Sequence, residues 1–523
     1  MSLKREPPRG GVGGAAALIL AGQLTGRLLG FVQESITAAL FGQGGGTDAF
    51  FAAERISQQV YDLLVGSTIT AALVPIFSQH ADDRDRSTFW HLARVILTFG
   101  ALLMIALAVL AVIFARQVVS VVVQFHDPAT EQLAVSLARI VMPSFLFLGL
   151  SGIVASLLNS MRIFVYSAFV GAAMNATIVT TALVFHRPLG VASLAVGMLV
   201  GSVLMVGLQL PALLHAGMRF RPSLDLRHPE VRRMGRLYLP VAVGMIATIV
   251  QAIVDSNLAS RTGEGSISAM QYATKIIQLP LGLIAIALGT AILPTLSRHA
   301  LDPDLAAYKA VLSRGIRLVL ALILPMAALV LVLNNQVLAL VYQHGRYTPA
   351  DRQLTSLALY LYTPELPFAA VDTLLIAAFY AMKNTLVPAL IGVLGVGVYL
   401  VIALSLVGRY GMPALVIANT AKDSMHGVVL MVLLWRAVRG LPGQGLATST
   451  GKVLLAAAAA GLVALIAAQA MGGDAGLSSL RGQLMALAIP AALGGLAYVA
   501  CTTALGVDEV RLGWRMLLSR VRA

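Results

Sequence analysis

Charge is scarce in this chain. Asp, Glu, Lys and Arg make up 11% of its 523 residues, where soluble domains carry roughly 25%. That shortage excludes an ordinary water-soluble domain. Cysteine is nearly missing too: Cys501 is the single example, so the sequence holds neither an intramolecular disulfide nor a cysteine metal cluster. The ten-residue segments of alternating polarity that mark an outer-membrane barrel do not occur. No Walker A run is present; the nearest candidate, Gly445 to Gly451-Lys452, has five intervening residues instead of four and continues into Val453. HExxH and serine-elbow patterns are missing as well. The sequence therefore supports no catalysis, no metal and no bound cofactor.

What the chain has is apolar length, with 58% hydrophobic residues in long stretches from Gly11 to Val507. A hydrocarbon core about 30 Å thick takes roughly 20 apolar residues per spanning helix. The fold class is an all-α polytopic membrane protein of about fourteen helices. They are expected at roughly 11–42, 47–79, 88–115, 129–160, 163–185, 190–216, 232–260, 266–298, 305–342, 353–382, 385–407, 412–438, 449–472 and 480–506. Lys4, Arg5 and Arg9 precede the first apolar run as they would in a signal peptide. That run continues to about Phe41, contains Arg27 and lacks a small-residue cleavage site, so it reads as a retained first helix.

A net charge of +14 invites a nucleic-acid reading, but its distribution argues against one. Assigning the interhelical segments alternately to two sides places Lys4, Arg5, Arg9, Arg84, Arg86, Arg162, the arginines of 219–236, Arg298, Lys309, Arg314, Arg317, Lys383, Arg436, Arg439, Lys452 and the basic tail together. The other side holds Arg116, Arg187, Arg261, Arg346, Arg352, Arg409 and Arg481. By the positive-inside rule this bias puts both termini in the cytoplasm.

The chain also repeats itself at a spacing of about 220 residues. Ala72-Leu73-Val74-Pro75 with Ser78-Gln79-His80-Ala81 returns as Ala291-Ile292-Leu293-Pro294 with Ser297-Arg298-His299-Ala300. Pro143 and Ser160-Met161-Arg162 return as Pro364 and Ala381-Met382-Lys383, and Ala168-Phe169-Val170-Gly171 as Ala389-Leu390-Ile391-Gly392. Six helices per copy give both copies the same membrane orientation, the plan of a two-lobed transporter. The expected divisions are 1–216 for the first lobe, 217–231 for a cytoplasmic connector, 232–440 for the second lobe, 449–506 for two further helices and 508–523 for a basic tail. In the tail, Val510, Trp514, Leu517 and Val521 share a helical face flanked by Arg511, Arg515 and Arg522, which fits either a helix on an anionic leaflet or a frayed basic end.

Ionisable groups inside spans cost about 2.5–3.5 kcal/mol on insertion scales and mark cavities or function. Arg27 and Glu34 share a face of the first helix, with Gln33 beside them; Asp48, Arg55 and Asp62 recur every seven residues on the second, near Gln58 and Gln59. This stripe reads as a substrate-binding surface or as internal ion pairs that tie helices together. The second lobe offers Asp255, Lys275 and Gln278, with Lys275 within one residue of the repeat position of Arg55. Arg27, Arg55 and Lys275 turned toward one cleft would suit an anionic head group such as a pyrophosphate. Glu365, Asp372, Lys422, Asp423 and His426 are further charges, of which Lys422 and Asp423 are expected to neutralise each other. Gly22, Gly26 and Gly30 form a ridge that reads as helix packing.

Several segments carry a family resemblance: Gly26-Arg27-Leu28-Leu29-Gly30-Phe31, Phe41-Gly42 leading to Thr47-Asp48-Ala49-Phe50-Phe51, Leu279-Pro280-Leu281-Gly282, Ala287-Leu288-Gly289-Thr290 and Leu293-Pro294-Thr295-Leu296-Ser297. In these the chain resembles the MurJ (MviN) lipid II flippases of the multidrug/oligosaccharidyl-lipid/polysaccharide exporter superfamily. The resemblance implies two six-helix lobes, a cavity lined by arginines that hold a lipid-linked pyrophosphate, a groove for the polyprenyl tail in the last two helices, and transport by alternating access in the bacterial inner membrane. Carried over by residue, it points to Arg27 and Asp48, with Lys275 where an arginine is usual. Two other usual arginines are Gln33 and Tyr61 here, and Gly66-Ser67 stands for an acidic-Gly pair; Arg55 lies near enough to substitute.

The candidate substrate-binding residues are therefore Arg27, Asp48, Arg55 and Lys275, supported by Gln33, Glu34, Gln59, Asp62, Asp255 and Gln278. The expected activity is ATP-independent flipping of a polyprenyl-pyrophosphate-linked cell-wall precursor by a monomer among membrane lipids, with a monovalent cation gradient or the membrane potential as driving force and no nucleic-acid partner. Alternatives are a flippase for another polyprenyl-linked polysaccharide precursor, a cation-coupled drug exporter, and a membrane scaffold without a transport path.

Overall fold

Hydrocarbon offers no partners for backbone N–H and C=O groups, so apolar runs of this length close their hydrogen bonds within themselves as helices. In the computed structural model the described residues are 12–64, 73, 77–79, 87–219, 221–225, 227–302, 304–441, 445–507 and 509, and there is no strand among them. The helices, in chain order, are α1 (Val12–Phe41), α2 (Gly45–Leu64), α3 (Ser87–Ile113), α4 (Ala115–Val122), α5 (Pro128–Val141), α6 (Ser144–Ser160), α7 (Val165–Leu189), α8 (Ala192–His215) and α9 (Pro229–Arg261). They continue with α10 (Ser266–Pro280), α11 (Ile286–His299), α12 (Ala306–Val332), α13 (Asn334–Tyr342), α14 (Pro349–Tyr362), α15 (Leu366–Ala381), α16 (Leu386–Tyr410), α17 (Met412–Ala437), α18 (Leu446–Ala470) and α19 (Leu480–Ala504). Ten helical stretches among the described residues are long and apolar enough to cross a membrane. The predicted stretches outside those ten hold α1, α2, α9 and α17, which carry Arg27 with Glu34, Asp48 with Arg55 and Asp62, Asp255, and Lys422 with Asp423.

Four predicted single helices are interrupted. The stretch 129–160 breaks at Met142 and Pro143, and 353–382 tightens into a 3-10 turn at Thr363–Glu365 around Pro364. The stretch 266–298 widens into a π turn at Leu281–Ala285 directly after Pro280. Proline at these points supplies no N–H and crowds the preceding turn, which forces the local change of pitch. The stretch 305–342 breaks at Leu333, between α12 and α13, where no proline is involved. The N-terminal Lys4, Arg5 and Arg9, Arg84 and Arg86, Gly66-Ser67, most of the first copy of the 72–81 repeat and the tail faces of 510–522 lie outside the described residues.

The sequence repeat extends to the backbone. Asp127 and Thr348, both N-caps followed by proline, are 221 residues apart, as are the helix starts Pro128 and Pro349. Two non-glycine residues with left-handed backbone, Arg162 (φ 63°) and Lys383 (φ 59°), are again 221 apart, each just past the end of its helix. Each end is closed by a hydrogen bond reaching back five residues, Ile163 N–H to Leu158 C=O at 2.8 Å and Asn384 N–H to Phe379 C=O at 3.0 Å, the Schellman pattern that satisfies orphan carbonyls. Gly190 and Gly411, at the same separation, leave α7 and α16 with φ, ψ of 55°, −140° and 63°, −139°.

By contact the chain forms two compact units, Met1–Phe41 with Gly45–Asn257, and Gly42–Gly44 with Leu258–Ala523, so the division falls inside α9. In the first unit α1 packs on α7 through its glycines. A Cβ on Gly22 would lie 2.5 Å from the Ala168 carbonyl oxygen and one on Gly30 would lie 3.1 Å from Asn175 Nδ2, which itself donates to the Gly26 carbonyl at 2.9 Å. The expected packing role of this ridge is what the structure shows.

In the second unit the turn 42–44 is clasped by an aromatic and polar cluster. Tyr272 donates its hydroxyl to the Gly42 carbonyl at 3.1 Å, Gln43 Nε2 donates to the Gly265 carbonyl at 3.1 Å, and Thr355 donates to Gln43 Oε1 at 2.8 Å. Tyr347 donates to Thr355 Oγ1 at 2.8 Å from a loop where burial pushes its phenol well above the usual value. Helix α18 packs against α12 through Ala456, Ala460 and Ala464, all fully buried, and α19 packs on α18 through Gly494, whose Cβ would meet the Ala460 carbonyl oxygen at 2.8 Å. Tyr498 donates to the Ala321 carbonyl at 2.6 Å.

Candidate functional site

The predicted site residues fall in different environments. On α1, Arg27 is half-buried, whereas Gln33 and Glu34 are 4% and 1% exposed. The Asn175 side chain fixes α1 at Gly26, one residue before Arg27, so the guanidinium projects from a helix held at close range. Among the described residues Arg27 has neither an ion-pair nor a hydrogen-bond partner.

Along α2 the stripe runs from buried to open. Asp48 is 2% exposed in the first turn, where the helix dipole favours a carboxylate. Asp62, two turns beyond Arg55, is half-buried and accepts from Gln58 Nε2 at 3.1 Å. The Gln59 Nε2 amide has no hydrogen-bond partner among the described residues although it is shielded from solvent.

Arg55 is engaged. Its Nη1 lies 3.1 Å from Asp255 Oδ2 and donates to Ser256 Oγ at 3.1 Å, with both partners on α9 in the same unit. Asp255 is 7% exposed, so the pair spares a buried carboxylate an uncompensated charge. Of the predicted set, the structure joins Arg55 and Asp255, an arrangement that fits the ion-pair reading of the stripe at that position. On α10 of the second unit, Lys275 is half-buried and Gln278 exposed.

A second polar group lies in the second unit, on α15, α17 and the turn before α15. His426 Nδ1 lies 2.8 Å from Asp372 Oδ1 and its Nε2 lies 3.2 Å from the Pro388 carbonyl oxygen. Thr420 donates to the Leu361 carbonyl at 2.9 Å and lies 3.4 Å from Glu365 Oε2, a carboxylate only 8% exposed. Lys422 and Asp423 pair at 3.1 Å, as their adjacency in sequence suggests. His426 lies one helical turn beyond Lys422 and Asp423, but its partner Asp372 on α15 is 54 residues away and left no local signal. Among the described residues no group of His, Cys, Asp and Glu side chains is arranged to hold a metal ion.

The family model described as lipid II flippase MurJ matches residues 37–481. A lipid II flippase MurJ from Burkholderia cenocepacia is 29% identical over 403 residues, covering 74% of this chain and 78% of that protein. A probable lipid II flippase MurJ from Vibrio cholerae is 28% identical over 449 residues, covering 84% of each. Among solved structures, a lipid II flippase MurJ in an inward closed conformation superposes with a TM-score of 0.80 at 22% identity, covering 94% of this chain and all of that one. An inward-facing multidrug resistance MATE family transporter of the MOP superfamily gives a TM-score of 0.66 at 13% identity, covering 82% of this chain and 98% of that one. The two solved structures establish likeness of fold.

Proposed function

The chain belongs to the lipid II flippase MurJ family, and from that premise we propose that it moves lipid II, the polyprenyl-pyrophosphate-linked precursor of peptidoglycan, from the cytoplasmic to the periplasmic leaflet of the inner membrane by alternating access. The observation that carries the reading is the family match across residues 37–481, on a backbone built twice at a 221-residue interval. It is a transporter and not an enzyme, and its substrate side is a lipid-linked glycan among membrane lipids. Both termini are cytoplasmic, on the strength of the lysine and arginine bias. It works as a monomer, with 1–216 and 232–440 as the two lobes, 217–231 as their connector, 449–506 as the tail-binding helices and 508–523 as a basic tail.

Arg27 is the residue on which the proposal depends most. A cation inside a span without a counter-ion is costly, and a pyrophosphate would supply the missing charge while accepting the planar guanidinium fork. Arg55 in the pair with Asp255 serves as a second cation, available when a phosphate competes with that carboxylate, and Lys275 adds a mobile point charge. Asp48, Gln33, Glu34, Gln59, Asp62 and Gln278 support these groups. With no Walker A run in the sequence, the membrane potential or a monovalent cation gradient drives the cycle; one charge crossing 100 mV is worth about 2.3 kcal/mol.

The test is to deplete a cell of its own lipid II flippase and supply this chain or its Arg27→Ala form, reading growth and outward exposure of lipid II. Rescue by the native chain and loss of at least about 90% of exposure in Arg27→Ala, at equal membrane levels, is the expected result, equivalent to about 1.4 kcal/mol or more. Failure of a well-inserted native chain would overturn the lipid II reading in favour of another polyprenyl-linked precursor.

A further inference from the structure

The end of α8 and the chain that follows it fold back over the start of α3. Ser223 donates its backbone N–H to Thr98 Oγ1 at 3.2 Å, and Gly217, at φ 107°, brings the chain against the Trp90 ring. Under this cover, within the first unit, lies a cavity of about 440 Å³. That volume falls in the range of roughly 300–1,000 Å³ typical of small-molecule sites. Leu97, Ala101, Leu150, Val154 and Val206 make it apolar over most of its length, and the charged groups among its lining residues are two arginines, Arg94 and Arg221.

Three features together specify an occupant. Leu102 lines the cavity and is 50% exposed on a helix apolar enough to cross a membrane, so the opening faces hydrocarbon. Arg94 uses its Nε on the Trp90 carbonyl at 3.2 Å and Arg221 is exposed, while neither has a carboxylate partner among the described residues. Two acids of the same region, among the described residues, are turned elsewhere: Asp225 lies 3.4 Å from His91 and Glu230 lies 3.5 Å from Arg233. Finally, Arg221 sits in the connector, in the segment that the charge bias assigns to the cytoplasmic side, and Arg94, near the start of α3, lines the same cavity; the cytoplasmic leaflet is anionic.

We propose that this cavity binds an anionic phospholipid of the cytoplasmic leaflet, with an acyl chain among the leucines and valines and the phosphodiester against Arg94 and Arg221. An apolar cavity alone would accept any acyl chain. The two uncompensated guanidinium groups select the charge of the head, because the planar fork matches phosphate oxygens. Occupancy holds residues 217–225 on α3 and so stiffens the start of the connector. This site is independent of the lipid II reading and of Arg27.

Native mass spectrometry of the full chain in detergent, titrated with phosphatidylglycerol and with phosphatidylcholine, tests it. Phosphatidylglycerol should bind about tenfold tighter than phosphatidylcholine, a difference of about 1.4 kcal/mol. R94Q/R221Q should abolish that preference and R94K/R221K should keep most of it. Ala101→Trp, which fills the cavity, should weaken both lipids. Should R94Q/R221Q fail to fold, R221Q alone, at an exposed side chain, must lower the preference about threefold. Equal affinity of the native chain for the two lipids, or an unchanged preference in R94Q/R221Q or in R221Q, would overturn the proposal.

Discussion

The two repeats share a backbone and differ in what fills it. Ser144 and Glu365 occupy equivalent positions, 221 residues apart, and so do Ser151 and Asp372. In the first repeat these are neutral contacts: Ser144 Oγ lies 3.0 Å from Ser57 Oγ, and Ser151 accepts from Gln209 Nε2. In the second, Glu365 meets Thr420 and Asp372 meets His426, with the Lys422–Asp423 pair on the same helix. The caps and left-handed exits recur because each helix must end at the same place whichever copy it is in. Buried charge is under no such demand, and a buried ion pair is weak evidence for stability. At these two positions the ionisable groups of the second repeat are thus features added to a common scaffold.

The largest effect should come from making the second repeat resemble the first. Asp372→Ser or His426→Met alone strands a partner whose side chain is 15% or 18% exposed, and should lower stability by about 3 kcal/mol, the low end for broken buried pairs. Making both changes should cost clearly less than the sum of the singles. A double-mutant cycle on unfolding in detergent measures the coupling. Additive effects would mean that the 2.8 Å contact is incidental and that the two interiors differ less than they look.

The shared backbone can be tested at Gly190 and Gly411. Their φ values of 55° and 63° with ψ near −140° lie where a side chain is strained. Alanine at either should lower stability by about 1–3 kcal/mol, and by similar amounts in the two copies. Neither Cβ would meet a close neighbour, since nothing lies within 4 Å of one on Gly190 and only the Thr262 Cβ, at 3.8 Å, near one on Gly411. A large difference between the two variants would show that the backbone identity does not extend to its energetics.

Much of this was legible in sequence because apolar runs and prolines act locally. Each of the fourteen predicted stretches holds a helix, and Pro143 and Pro364 mark breaks that the run lengths alone had bridged. The glycine ridge was legible because small residues four apart leave one explanation, close approach of another helix. Lys422–Asp423 was legible because the partners are neighbours. Arg55–Asp255 was not, since its members are 200 residues apart and seven-residue spacing equally suits a ligand surface and an ion pair. His426–Asp372 was hidden for the same reason, at a separation of 54. The engaged state of Arg55 also explains how the chain tolerates it at rest, which leaves Arg27 as the more informative substitution.

The smallest expected effect separates the two copies of one helix cap. Asp127 accepts from the N–H groups of Ala129 and Thr130 and from the Thr130 hydroxyl, at 3.2, 3.0 and 2.8 Å. The Thr130 hydroxyl first, then the two backbone N–H groups, hold its carboxyl below the usual value. A lowered folded value means that the cap's contribution is complete above the ordinary carboxylate range and is lost as pH falls through the folded value. At the equivalent cap the Asp351 N–H donates at 3.2 Å to the Thr348 hydroxyl, which does not titrate in this range. The Asp351 carboxylate accepts from the N–H and hydroxyl of Thr348, ahead of the helix, so none of the 350–352 amides is held directly by a carboxylate there. Between about pH 5 and pH 3, protection of the 129–131 amides against hydrogen exchange, corrected for intrinsic rate, should therefore fall more than that of 350–352. Asp127→Asn keeps an acceptor at the N-cap and should remove the difference. Protection at 129–131 that ignores pH in the native chain, or falls equally in Asp127→Asn, would mean that the carboxylate charge is irrelevant and that the two caps differ only in sequence.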